Sequence, residues 1–147
     1  MKTTYHTAKL GGLETIVDPA KVNVESDAVR KIEIEHREIV GEDEIESGRR
    51  VAERGLIAPS GAFDETAVLT EKGYVLIERM ATGWNQKNGD ADLPINGPTV
   101  RTLPGAVARS FAMDQLIGKA PTEAEIEAIS PKSASATGNT QEMEPSA

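Results

Sequence analysis

The chain has 147 residues, 38% of them hydrophobic and 27% charged, a length that matches one compact domain. It has no cysteine, which removes disulfides, thiolate chemistry and cysteine-based zinc, and fits a reducing cytosol. No apolar run approaches the roughly 20 residues of a membrane span: Glu78 and Arg79 break the best stretch, Tyr74–Met80. The opening MKTTYHTAKLGG lacks the apolar core of a secretory signal. The net charge of −8 repels phosphates, and the richest basic cluster, Arg49, Arg50 and Arg54, is surrounded by acids, so nucleic acid is not an expected partner.

The pattern along the chain predicts an α+β fold. A small N-terminal antiparallel β-sheet or hairpin is followed by a bundle of three to four helices and a disordered C-terminal tail. Residues 1–12 read as a flexible arm, 13–129 as a single domain and 130–147 as the tail. Strands are expected within 13–40, where the apolar residues are β-branched: Ile16, Val17, Val22, Val24, Val29, Ile32, Ile34, Ile39 and Val40. Ile32, Ile34 and His36 alternate with Lys31, Glu33 and Glu35, the period of a strand with one wet face. Asp18-Pro19 and Ser26-Asp27 are turn-like breaks between two or three short strands.

A helix over 42–54 opens with Glu42, Asp43, Glu44 and Glu46 and closes with Arg49, Arg50, Arg54 and Gly55, the order the helix dipole favours. Its apolar content is thin, so it should lie on the surface. A second helix over 64–84 carries a stripe of Leu69, Gly73, Leu76, Ile77, Met80 and Trp84 at helical spacing. Gly73 on that stripe predicts close approach of a neighbour. The segment from Asn85 to Pro98 reads as a loop that the Trp84 indole N–H can pin. A third helix over 104–117 starts at Pro104 and bears Val107, Phe111, Leu116 and Ile117, apolar on more than one face. Thr122 and Glu125 form a capping box for a short helix over 123–129. Ser130–Ala147 has Met143 as its sole large apolar residue and cannot offset its ordering entropy.

Residues able to do chemistry are few. His36 lies on the apolar side of its strand, where a structural role is the simpler reading, and His6 lies in the arm. Ser60-Gly61 follows a proline in an ordinary turn, and Gly11–Leu13 lacks the lysine and helix of a phosphate loop. Asn88–Asp92 lacks the spaced third acid and terminal glutamate of a calcium loop. Neither enzyme, metal nor cofactor is expected.

The block from Val75 to Phe111 resembles the tail assembly chaperones of lambda-like siphoviruses. In that family an amphipathic helix ends in a tryptophan, a loop with Asn/Asp-Gly and Leu-Pro follows, and a Thr-led segment leads through Leu-Pro into another helix. Here those positions are Trp84, Asn85, Asn88, Gly89, Leu93, Pro94, Thr99, Leu103 and Pro104. The resemblance spans residues 30–118 at most. The loop is longer than the family's, and Ile95–Pro98 adds a second turn. It implies a non-catalytic protein of the host cytoplasm that keeps the tape-measure protein soluble during tail morphogenesis. The tail-tube protein is a second candidate partner, and self-association a further one. On this reading the partner-binding residues are Leu69, Leu76, Trp84, Val107, Phe111, Leu116 and Ile117. The family also implies a frameshifted longer product, for which Gly118-Lys119 is the matching dipeptide. The alternative is a structural virion protein, such as a head–tail connector or decoration protein.

Overall fold

A computed structural model describes residues 1–21 and 28–117. Val22, Val24, the break at Ser26-Asp27, Gly118-Lys119, the helix expected over 123–129 and the tail lie outside the described residues. Within them the chain runs β1 (Lys2–Leu10), β2 (Leu13–Ile16), β3 (Arg30–His36), α1 (Gly41–Glu53), α2 (Glu65–Met80), β4 (Ala81–Trp84), β5 (Lys87–Asn88), β6 (Ala91–Asp92), α3 (Gly97–Val100) and α4 (Gly105–Leu116). The first four long strands form one antiparallel sheet in the order β2-β1-β3-β4, so the expected α+β architecture is present.

Two boundaries differ from the sequence expectation. Residues 1–12 are not an arm: they supply β1, an interior strand of the sheet. Gly11 and Gly12 turn β1 into β2 with φ of 62° and 83°, the left-handed pair that a two-residue hairpin needs. The helix expected to reach residue 84 stops at Met80, and Ala81–Trp84 become the edge strand β4. Gly83 lies opposite Glu35, whose carboxylate would be 2.9 Å from an added Cβ, and the Met80 carbonyl accepts the Arg37 N–H at 3.1 Å.

One face of the sheet meets the helices. The alternation in β3 holds: Ile32, Ile34 and His36 are buried while Lys31 and Glu35 face water. Tyr5 sits opposite Ile32 and Trp84 opposite Ile34, which extends the inner face across three strands. Onto it pack Leu76, Ile77 and Met80 of α2, and Val107, Phe111 and Ala112 of α4. His36 is a core histidine, edge-on to Phe111 with ring centres 5.0 Å apart. Its Nδ1 lies 3.0 Å from the Arg37 carbonyl and must donate there, leaving Nε2 to accept from the Thr3 hydroxyl at 2.9 Å.

The expected close approach at Gly73 is realised by α4: a Cβ at Gly73 would stand 1.9 Å from the Ala108 carbonyl oxygen. Two buried acids then tie the helices. Asp43, with no exposed side-chain surface, takes a bidentate pair from Arg37 at 2.7 Å and a third contact from Arg79 Nε at 2.9 Å. It also accepts the Val40 N–H at 2.9 Å, the half of a capping box that a valine N-cap still permits. The Arg37 hydrogen bonds hold the Asp43 carboxyl well below the usual carboxylate range against the opposing push of burial, and Val40 and Arg79 add to the lowering. Glu71 lies on the side of α2 that α1 and α3 cover, where it pairs with Arg101 at 2.6 and 2.8 Å and with Arg54 at 3.2 Å.

The Gly73→Ala variant is expected to lose about 3 kcal/mol or more of stability, since backbone rather than a flexible side chain must move; urea unfolding measures it. Asp43→Asn should cost about 2–3 kcal/mol at pH 7, between the ranges for exposed and fully buried pairs. Asp43 is depressed in the folded state, so its contribution is complete above its unfolded pKa of about 3.9 and fades as pH falls below that value. The gap between wild type and Asp43→Asn should therefore begin to narrow in urea titrations once the pH falls below about 4, and keep narrowing on further acidification.

A candidate partner-binding groove

Between Arg54 and Asp64 the chain forms a tight loop rather than an open connection. Gly55 takes φ of 69° after α1, the Ala58 N–H donates to the Ala62 carbonyl at 2.8 Å, and Ile57 bridges Phe63 in antiparallel fashion. Asp64 then caps α2, its Oδ1 accepting Thr66 N–H at 3.0 Å and Ala67 N–H at 3.4 Å. The loop is thereby held with Ile57 and Phe63 facing the crevice between α1, α2 and the end of α4.

This crevice is an apolar groove of about 380 Å³. Val51, Val68 and Leu69 line its floor; Ile57 and Phe63 form one wall, and Leu116 and Ile117 another. Phe63 is 57% exposed and Ile117 73%, so large apolar surface stands in water here. The charged side chains lining it are Glu65 and Lys72. Among the described residues no serine, threonine, cysteine or histidine lines it, and what it offers is apolar area with a charged rim.

The seven residues expected to bind a partner divide three ways. Leu69, Leu116 and Ile117 line the groove. Leu76, Val107 and Phe111 do not: each is fully buried in the core, so they present nothing to a partner. Trp84 is half-buried against the core, and its Nε1–H donates to the Leu93 carbonyl at 2.8 Å, the loop-pinning role foreseen for it. Val51, Ile57, Phe63 and Val68 were missed. Their one signal is a pair of large apolar residues, Ile57 and Phe63, flanking Pro59-Ser60-Gly61 where a solvated loop needs none.

A shallow recess beside Lys2, Glu33 and Trp84 measures about 180 Å³; Lys31 first, then Lys2, holds the Glu33 carboxyl below its ordinary range against desolvation. Asp92 of the β5–β6 hairpin pairs with Lys87 at 3.4 Å. Among the described residues no three His, Asp or Glu side chains gather as a metal ion requires, and no helix is long and apolar enough to cross a membrane. No family model, curated protein or solved structure matches the chain.

Core and groove should separate in mutagenesis. Phe111→Ala is expected to cost about 3–5 kcal/mol. Phe63→Ser and Ile117→Ser should change the unfolding free energy by less than about 0.5 kcal/mol while lowering the fluorescence of an apolar dye bound to the native protein.

Proposed function

We propose that this chain is a non-catalytic binding protein of the tail assembly chaperone type, acting in the host cytoplasm on the tape-measure protein. The open groove with exposed Ile57, Phe63 and Ile117 on a chain of net charge −8 supports this reading. A tape-measure protein is a long helix with apolar stripes, which aggregate unless covered. A groove lined by aliphatic and aromatic side chains can cover one such stripe, while the surrounding acidic surface keeps the complex dissolved. The resemblance of Val75–Phe111 to the family supports the reading from the sequence side. Within it, Trp84, Leu93 and Leu103 serve the fold: Trp84 anchors the loop, and the Leu103 carbonyl accepts the Tyr74 hydroxyl at 2.7 Å.

Co-expression with the tape-measure gene of the same genome provides the test. The tape-measure protein should stay in the soluble fraction with the wild-type chain and precipitate with Phe63→Asp, which places a charge on the groove wall without touching the core. Equal precipitation with and without the chain contradicts the proposal. Mass spectrometry of purified particles should find the chain absent; stoichiometric presence would favour a structural virion protein instead.

A further inference from the structure

Gly48 sits inside α1, where glycine weakens a helix relative to alanine. At Gly73 the same weakness has an internal reason, the Ala108 carbonyl. At Gly48 there is none: an added Cβ would meet nothing within 4 Å, and the residue lines the apolar groove. Its missing side chain leaves the groove open on the α1 side. Along the same face of α1 lie Glu44, one turn earlier, and Val51, one turn later. Ile45, 65% exposed, borders that stripe.

We infer that an amphipathic helix of the partner, apolar on one side and basic along its edges, lies against α1 across Gly48. The inference rests on reading the groove as a binding surface and names its occupant. Three observations select a basic helix. The groove is walled by helices and a closed loop and has no strand edge among its lining residues, so an extended segment finds no ladder to join. A glycine on a helix face lets a second helix approach closely, because the distance between packed helices is set by the side chains at their contact. The chain's net charge of −8, with Glu44 exposed one turn from Gly48 and Glu65 lining the groove alongside the single lysine Lys72, complements lysine or arginine on the incoming helix.

The probe is a fluorescein-labelled peptide of about 14 residues, leucines at helical spacing and lysines elsewhere, compared with a scrambled peptide of the same composition. Anisotropy at about 0.15 M salt limits attraction by net charge alone. The patterned peptide should bind wild type at least about tenfold more tightly than the scrambled one. Gly48→Ala should raise the melting temperature of the free protein yet weaken patterned-peptide binding about three- to tenfold. Gly48→Leu should abolish it, and if that variant does not fold, Gly48→Ala decides alone.

Equal binding of the two peptides, or unchanged patterned-peptide binding by Gly48→Ala, overturns the inference. A wild-type dimer that becomes monomeric on Gly48→Ala and binds no peptide also overturns it, assigning the groove to a second copy. The proposed function fails separately. A tape-measure protein that precipitates despite co-expression leaves the peptide discrimination intact, whereas solubilisation by Gly48→Leu as effective as by wild type removes the helix across Gly48 alone.

Discussion

At Gly73 the backbone of α2 and the Ala108 carbonyl of α4 approach so closely that no side chain fits between them. That contact brings Leu76 and Phe111 together over the inner face of the sheet and uses up the two most apolar stripes of the chain internally. α4 is apolar on more than one face because it serves two neighbours: Ala108 meets α2, and Phe111 reaches the His36 ring on β3. Where α4 ends, Leu116 and Ile117 come beside Leu69 near the start of α2, and the apolar surface is no longer matched. The groove is the region that this crossing leaves uncovered.

Charge organises the rest. Asp43 and Glu71 each draw two arginines from different elements, so β3 is tied through α1 to α2, and α1 through α2 to the segment after α3. A buried carboxylate with its hydrogen bonds complete fixes geometry more than it adds stability, because desolvation offsets much of the attraction. These ties set the separation of α1 and α2, and with it the width of the groove. The surface pairs along α1, such as Arg50 with Glu46 at 3.0 Å, contribute little by comparison.

Much of the fold was legible because its elements obey single periodicities. β3 alternates strictly, α1 and α4 have matching ends, and Gly73 marks its own contact. β1 was hidden because Tyr5 is its only large buried apolar residue, although Thr3, Thr4, Tyr5 and Thr7 before Gly11-Gly12 favour a strand and a tight turn. β4 was hidden because Trp84 falls on the extended helical stripe by coincidence, while its real partner, Ile34, is 50 positions away. The groove was only half legible. Leu69, Leu116 and Ile117 lie on helices, where periodicity exposes them; Ile57 and Phe63 lie on a loop, and backbone pairing alone brings them together. Phe111 and Val107 were assigned outward because sequence periodicity shows apolar faces without showing which neighbours claim them.

The central proposal is that this chain acts through apolar area on one groove. Amide hydrogen exchange on the proposed complex with the tape-measure protein tests it most directly. Protection should appear around Gly48, Ile57 and Ile117, with the outward-facing strand positions Thr4 and Glu33 unchanged. Protection confined to the outer face of the sheet, with the groove exchanging as in the free chain, would contradict it.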